Sequence, residues 1–135
     1  MVQSTTVYDG GLRCRLIHEP SQSQFETDAP KDNYGLGARF SPTDLVGAAL
    51  GSCILTTIAL FLEKDGVNIN TAQALVTKEM SSNPRRILKL TVQITMPKGV
   101  QHEFRAEIGQ IAHTCPVHRS LHPDIATSIE FIYPD

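Results

Sequence analysis

Residues 41–66, SPTDLVGAALGSCILTTIALFLEKDG, form the most apolar stretch of the chain and carry clear helix signals at both ends. Ser41 is a favourable N-cap, Pro42 suits the first helical position, and Asp44 completes the spacing of a capping box. At the other end, Gly66 favours the left-handed turn that ends a helix. The pattern predicts one long helix that begins at Pro42 and ends shortly before Gly66.

This apolar run raises the question of a membrane helix, because residues 45–62 contain no charged side chain. A run of that length is the lower limit for a transmembrane span. The run nevertheless contains glycine, serine and threonine, has acidic flanks and lacks the aromatic residues that mark membrane interfaces. We therefore expect a buried helix and no membrane association. A helix that is apolar nearly all round needs cover on every side, so we expect a second subunit to supply it in a homodimer.

Composition and charge suit a single compact domain over residues 1–135 with a small ligand. The 12 basic residues are balanced by 14 acidic ones, the net charge is -2, and no basic cluster is present. This is not the electrostatic pattern of nucleic-acid binding. The three cysteines are widely spaced, unlike a secreted disulfide framework, and the amino terminus lacks signal-peptide features. We expect a cytoplasmic location and no nucleic-acid partner.

The segment before the helix, residues 5–40, reads as three short strands joined by turns rich in glycine, proline and aspartate. In LRCRLI, residues 12–17, side chains should alternate between the two faces of a strand. This alternation places Cys14 in the core. Arg13 and Arg15 then share the other face, where the simplest expectation is that they are solvated charges.

After the helix, residues 67–80 and 85–97 read as two strands joined by the turn SSNPR. Alternation in the second of these strands predicts a set of side chains that share one face of the sheet: Leu88, Leu90, Val92 and Ile94. Residues 125–134 read as a last strand.

A second helix is predicted in HEFRAEIGQIAHTC, residues 102–115, where apolar side chains recur at helical spacing. Ile108, Ile111 and Cys115 fall on one face, so Cys115 should point into the core. Pro116 disfavours helical geometry at the residue before it, so we expect the helix to break there and Cys115 to cap a further turn. The resulting order, β-β-β-α-β-β-α-β with a long central helix, predicts an α+β fold.

Two of the cysteines, Cys53 and Cys115, lie on core-facing helical elements 62 residues apart. They are either two inert buried thiols or a reversible dithiol/disulfide couple, and spacing alone does not decide between these alternatives. For Cys53 to act as a nucleophile it must ionise, and a mid-helix position gains little from the helix dipole. A nearby cation is therefore required, and the chain offers three candidates: Arg13, Arg15 and Arg39.

The segment HTCPVHRSLH, residues 113–122, contains side-chain types that bind zinc. His113, His118 and His122 accompany Cys115, but the proline within the segment interrupts any helix that would align them. We expect surface or capping histidines and no metal site. The chain also lacks a glycine-rich phosphate loop in the required strand-to-helix context, so no nucleotide cofactor is expected.

Two motifs together carry a family resemblance: FSPTDLVGAALGSC at residues 40–53 and AHTCPVHRSL at residues 112–121. Over nearly its whole length the chain resembles the osmotically inducible protein C and organic hydroperoxide resistance (OsmC/Ohr) family. The resemblance implies an OsmC-like fold in an intertwined homodimer. In such a dimer the cysteine-bearing helices pack centrally and two active sites lie at the subunit interface.

The resemblance also implies an activity, namely cysteine-based reduction of organic hydroperoxides as an antioxidant defence. Cys53 would attack the peroxide and become a sulfenic acid, and Cys115 would resolve it as a disulfide. Arg13 matches the family's catalytic arginine best, with Arg15 and Arg39 as alternatives. No metal or organic cofactor is implied, and a dithiol reductant would regenerate the thiols.

One position departs from the family pattern, because Thr43 stands where the peroxidases usually carry a glutamate that steadies the arginine. Asp44 and Glu79 are the candidates for a replacement carboxylate. Leu50 and Ile54 are expected to contribute to an apolar substrate pocket beside the reactive sulfur. The alternative function is an OsmC-like dimer that binds a small ligand or senses redox state, with little peroxidase turnover.

Overall fold

The computed structural model describes residues 1–134. The strands and helices follow one another along the chain in this order: β1 (Ser4–Gly10), β2 (Arg13–His18), β3 (Ser23–Asp28), α1 (Pro42–Glu63), β4 (Gln73–Ser82), β5 (Arg85–Thr95), α2 (Arg105–Ala112), α3 (Pro116–Ser120) and β6 (Ala126–Ile132). Single 3-10 turns occupy Lys31–Asn33 and His102–Phe104. The fold is α+β. The chain forms two compact units, residues 1–46 and the remainder, and the boundary between them falls within α1.

The first unit contains an antiparallel sheet in the order β1-β2-β3. Residues Arg13 and Cys14 in β2 lie opposite Asp28 and Thr27 in β3. Cys14 is only half-buried, so the prediction that it lies in the core is wrong. The physical reason is an open cavity of about 270 Å³ beside it, which Thr27 and the 46% exposed Leu12 also line.

Both ends of α1 follow the sequence signals. The Oγ of Ser41 accepts a hydrogen bond from the Asp44 N–H at 3.1 Å, and the Asp44 Oδ2 accepts one from the Ser41 N–H at 2.9 Å. This confirms the capping box, which satisfies two backbone donors at the helix start. At the other end Gly66 has a φ of +70°, and the Val67 N–H donates to the Leu62 carbonyl at 3.2 Å.

In the second unit, one face of α1 packs against the sheet through small residues. A Cβ added to Gly47 would lie 3.3 Å from the Val76 Cγ1, and one added to Gly51 would lie 3.0 Å from the Val76 Cγ2. The two glycines, four residues apart on one face, therefore allow the helix backbone to approach β4 closely. The same face buries larger side chains: Leu50, Ile54, Ile58 and Leu62.

The other side of α1 stays partly uncovered in the single chain. Leu60 is 74% exposed and Phe61 is 36% exposed, although both are large apolar side chains. By length and composition alone the helix could cross a bilayer, with a mean hydropathy of 2.2. Its glycine face, however, is in contact with β4. The helix thus has one packed face, and on its other side Leu60 and Phe61 remain exposed beside polar residues such as Ser52 and Thr56.

The second sheet has the order β4-β5-β6, with β4 antiparallel and β6 parallel to β5. Strand β4 begins at Gln73, so the prediction of a strand from residue 67 is wrong for residues 67–72. There the Asn68 Oδ1 accepts a hydrogen bond from the Asn70 N–H at 2.6 Å, and Thr71 has a φ of +76°. A hydrogen bond from a side chain to the nearby backbone and a residue with left-handed backbone angles both prevent the chain from pairing as a β-strand.

A β-bulge changes which side chains of β5 face the core. Glu79 pairs with Lys89 and Met80 pairs with Ile87, so Leu88 has no partner in the register. Ile87 is 8% exposed and Leu88 is 43% exposed. The prediction that Leu88 shares the core face is therefore wrong. The extra residue of a bulge shifts by one position which side chains of the strand point to the core, so Ile87 rather than Leu88 is buried.

The region around Cys115 follows the sequence prediction. Helix α2 ends at Ala112, and the core positions Ile108 and Ile111 are buried. Cys115 has extended backbone angles and caps α3, which begins at Pro116. Strand β6 then returns parallel to β5.

Candidate functional site

The second unit brings Cys53 of α1 and Cys115 of the α3 cap together. The Cys53 side chain lies close enough to act on the pKa of the Cys115 thiol, and both thiols are free. Cys115 is fully buried, whereas Cys53 is half-buried. Two thiols in contact form a dithiol that can be oxidised, whereas two separated buried cysteines cannot pair.

The environment of Cys115 favours its neutral form. Burial is the main reason that the pKa of the Cys115 thiol lies above its ordinary value, and the contact with Cys53 raises it further. The backbone N–H groups of His118 and Val117 act in the opposite direction, and the His118 N–H reaches the Cys115 sulfur at 3.3 Å. Because burial outweighs the helix cap, Cys115 remains a thiol near neutral pH.

Cys53 lies on the border between the buried and the uncovered faces of α1. Its sulfur is 4.0 Å from the Thr57 Oγ1, one helical turn away. The neighbours Leu50 and Ile54 are fully buried in the core of the second unit. Their contribution to a substrate pocket stays a prediction.

In the first unit, Arg13 is held by a buried carboxylate rather than solvated. Its Nε donates to the Asp28 Oδ1 at 2.6 Å and its Nη2 donates to the Asp28 Oδ2 at 3.0 Å. Glu26 lies farther away, with its Oε2 at 3.6 Å from the Nε. The prediction of a solvated charge at Arg13 is wrong, because this bidentate pair fixes one edge of the guanidinium. Within residues 1–134 the Nη1 has no hydrogen-bond partner, so the other edge is free to donate.

Asp28 is the residue that the sequence analysis missed. It is 2% exposed at the end of β3, and its Oδ2 also accepts a hydrogen bond from the Ala38 N–H at 3.1 Å. The hydrogen bonds from Arg13 are the main reason that the pKa of Asp28 lies below its ordinary value, with the Ala38 N–H and the charge of Arg39 acting in the same direction. Asp28 could have been identified from the sequence only if the register of β2 and β3, which places it opposite Arg13, had been known. The sequence does not specify that register uniquely.

The other candidate arginines lie in different surroundings. Arg15 is 3.4 Å from the Asp9 carboxylate in an exposed pair. Arg39 is exposed, with its Nη1 3.5 Å from the carbonyl of the preceding residue. Of the candidate carboxylates, Asp44 forms the capping box and Glu79 is exposed on β4 opposite Lys89.

The histidines near Cys115 make local contacts. The His118 Nε2 lies 3.1 Å from the Thr127 Oγ1, and its ring meets that of His113 edge to face at 5.4 Å. The His122 Nδ1 accepts a hydrogen bond from the Asp124 N–H at 3.0 Å on the surface. Across the part of the chain that the structure describes, no group of three or more histidine, cysteine, aspartate or glutamate side chains is arranged to hold a metal ion.

The fold and the two neighbouring thiols together define a class: an α+β protein that brings two cysteines from distant parts of the chain close together. Residues 35–130 match the family model described as OsmC-like protein. The chain belongs to this family.

Solved structures agree with the family assignment. A proposed osmotic stress induced and detoxification response protein from Psychrobacter arcticus 273-4 is 38% identical, with 98% of this chain and 96% of that chain covered and a TM-score of 0.93. The organic hydroperoxide resistance protein OsmC from Legionella pneumophila is 12% identical, with 97% and 96% covered and a TM-score of 0.78. OhrB of Bacillus subtilis is 14% identical, with 98% of each chain covered and a TM-score of 0.69. The last two show the fold alone. Among curated protein sequences, none matches the chain.

Proposed function

We propose that this protein is a cysteine-based peroxidase that reduces organic hydroperoxides to alcohols. The observation that carries the proposal is the proximity of Cys53 to Cys115, two free cysteines from distant parts of the chain. Family membership supports a redox-related function, and structural neighbours from Legionella pneumophila and Bacillus subtilis are named organic hydroperoxide resistance proteins.

In the proposed reaction, the Cys53 thiolate attacks the distal oxygen of the hydroperoxide and the O–O bond breaks. The oxygen stays on sulfur as a sulfenic acid, and the alkoxide leaves and takes up a proton to become the alcohol. Cys115 then attacks the sulfenic sulfur, an S–S bond forms, and water is released with the proton of the Cys115 thiol. An external dithiol reduces the disulfide and closes the cycle.

The unequal environments of the two cysteines support this division of roles. A nucleophile that meets an external peroxide needs access, and Cys53 is the more exposed of the pair. A resolving cysteine needs only to reach its partner, so the buried Cys115, whose pKa is raised chiefly by burial, can remain neutral until the sulfenic acid forms.

Arg13 is proposed to assist Cys53, on the basis of the family resemblance and of its own geometry. Asp28 holds one edge of the guanidinium, so the Nη1 edge can donate to a thiolate or to the departing alkoxide. Fixed donors aimed at developing negative charge lower a reaction barrier without reorganisation. The proposed mechanism requires no metal or organic cofactor.

Stoichiometric oxidation tests the proposal. One equivalent of cumene hydroperoxide added to the reduced protein should remove two hydrogens per chain, and peptide mapping should find Cys53 linked to Cys115. Cys115→Ser should instead stop at a Cys53 sulfenic acid that dimedone traps. If the thiols of the wild-type protein stay reduced with every hydroperoxide tried, the small-ligand-binding alternative replaces the peroxidase.

We also propose that the protein is a homodimer in which a second copy covers the apolar side of α1. The exposed Leu60 and Phe61 support this proposal, since large apolar patches on a soluble surface mark contact sites. Sedimentation equilibrium in dilute reducing buffer should give twice the chain mass, and Leu60→Lys should shift the protein toward monomer. A folded wild-type monomer at micromolar concentration would contradict the proposal.

A further inference from the structure

We infer that Asp28 is the positioning residue for Arg13 in the reaction. This inference rests on the proposed function and names the carboxylate that the sequence left open. Asp28 does not touch the reacting atoms in this proposal. It acts only by fixing the orientation and the charge of the arginine.

Asp28 and Arg13 form a bidentate pair. Both oxygens of Asp28 accept from Arg13, at 2.6 Å and 3.0 Å, through the Nε and the Nη2. A bidentate contact fixes the plane of the guanidinium, which a single hydrogen bond does not. The edge that carries the Nη1 is then presented in one direction, and a donor held in one direction is what charge stabilisation requires.

Asp28 is itself held in place by backbone groups. Its side chain accepts from the Ala38 N–H at 3.1 Å, and its own N–H donates to the Phe40 carbonyl at 3.1 Å. These bonds tie the end of β3 to the segment that leads into α1. The orientation of Arg13 is therefore set by backbone positions on two sides of the carboxylate rather than by a mobile surface side chain.

Asp28 differs from the neighbouring candidates in burial and in charge. Glu26 lies 3.6 Å from the Arg13 Nε, and its side chain is 39% exposed, whereas the Asp28 side chain is 3% exposed. The Arg13 side chain is 28% exposed, so its pair with Asp28 is partly buried, and such a pair is screened less by solvent and salt than an exposed one. Thr43 brings a hydroxyl group 3.3 Å from the Ser41 Oγ and carries no charge. Asp28 thus supplies the negative charge that position 43 lacks.

The test compares two substitutions that remove the same charge from neighbouring positions of β3. Asp28→Asn should slow alkylation of Cys53 by iodoacetamide at pH 7 and lower kcat/KM for cumene hydroperoxide, each by about tenfold, as is common when a positioning partner is lost. Glu26→Gln, the matched control, should change both rates by less than about twofold, as expected for an exposed pair.

A double-mutant cycle separates positioning from a purely structural role. If Asp28 acts through Arg13, Asp28→Asn should cost nothing further in an Arg13→Ala background. If its role is only to anchor the chain around Ala38, the same change should cost activity in both backgrounds and lower the urea midpoint in both. Should Asp28→Asn fail to fold, Arg13→Lys serves instead, because lysine keeps the charge but cannot form the bidentate pair. It should show the same slow alkylation.

The outcomes distinguish this inference from the proposed function. If Arg13→Ala slows both reactions and Asp28→Asn slows neither, the inference about Asp28 is overturned and the peroxidase proposal stands. If wild-type protein consumes no hydroperoxide, the peroxidase proposal is overturned, and the iodoacetamide rates still report whether Asp28 controls Cys53 through Arg13. If Arg13→Ala leaves both rates unchanged, the role of the arginine and the inference are both wrong.

Discussion

Cys53→Ser should abolish hydroperoxide consumption, with a loss of more than about a thousandfold in kcat/KM, as for other nucleophiles that form a covalent intermediate. A serine hydroxyl at this position has nearly the same size as the thiol but neither ionises near neutral pH nor forms a sulfenic acid. The helix should keep its structure, since the Cys53 sulfur makes no strong polar contact along it: the Thr57 Oγ1 lies 4.0 Å away, and the Cys115 thiol belongs to another element. Steady-state consumption of cumene hydroperoxide with a dithiol reductant measures the effect.

Cys14→Ser is the matched control for this experiment. Cys14 is also a free, half-buried cysteine, but it lies in the first unit on β2. The same chemical change there should leave turnover within about twofold of wild type, as for substitutions away from the machinery of a site. If Cys53→Ser retains turnover while Cys14→Ser loses it, the assignment of the nucleophile is wrong.

Gly51→Val should destabilise the protein by about 2 kcal/mol, because added atoms have no space between α1 and β4. Even a single Cβ at Gly51 would lie 3.0 Å from the Val76 Cγ2 and 3.3 Å from the Ala74 Cβ. The higher intrinsic helix propensity of residues other than glycine offsets only a fraction of this cost. Urea unfolding followed by far-UV circular dichroism measures the difference.

A compensating substitution checks the cause of that loss. Val76→Ala removes the two methyl groups that the new side chain would meet, so the double variant Gly51→Val/Val76→Ala should be more stable than the sum of the single losses predicts. Strictly additive losses would show that Gly51 matters for a reason other than its contact with β4.

The signals that the sequence predicted correctly are local ones. Ser41, Asp44 and Gly66 determine where α1 begins and ends, since caps involve residues a few positions apart. Pro116 likewise determines that Cys115 caps α3. The α+β class followed from the periodicity of the apolar residues, because that periodicity differs between helices and strands.

The features that the sequence did not predict depend on pairing between distant segments. The bulge beside Leu88 arises from how β4 and β5 align, and alternation within β5 alone gives the wrong face. Asp28 becomes the partner of Arg13 only through the register of β2 and β3. The same limit applied to Cys53 and Cys115, whose spacing left open whether the thiols meet. For the site, residue types were therefore predictable and their partners were not.

The parallel pairing of β6 with β5 has a consequence for the order in which the molecule forms. A parallel neighbour cannot follow a tight turn, so the chain between Thr95 and Ala126 must cross to the other end of the sheet before the first β5–β6 hydrogen bond is made. Cys115 lies within this crossover, and contacts that require a long loop to close form slowly. We therefore expect the meeting of Cys115 with Cys53 to be a late event in folding, which leaves Cys53 without its thiol partner in the newly made chain.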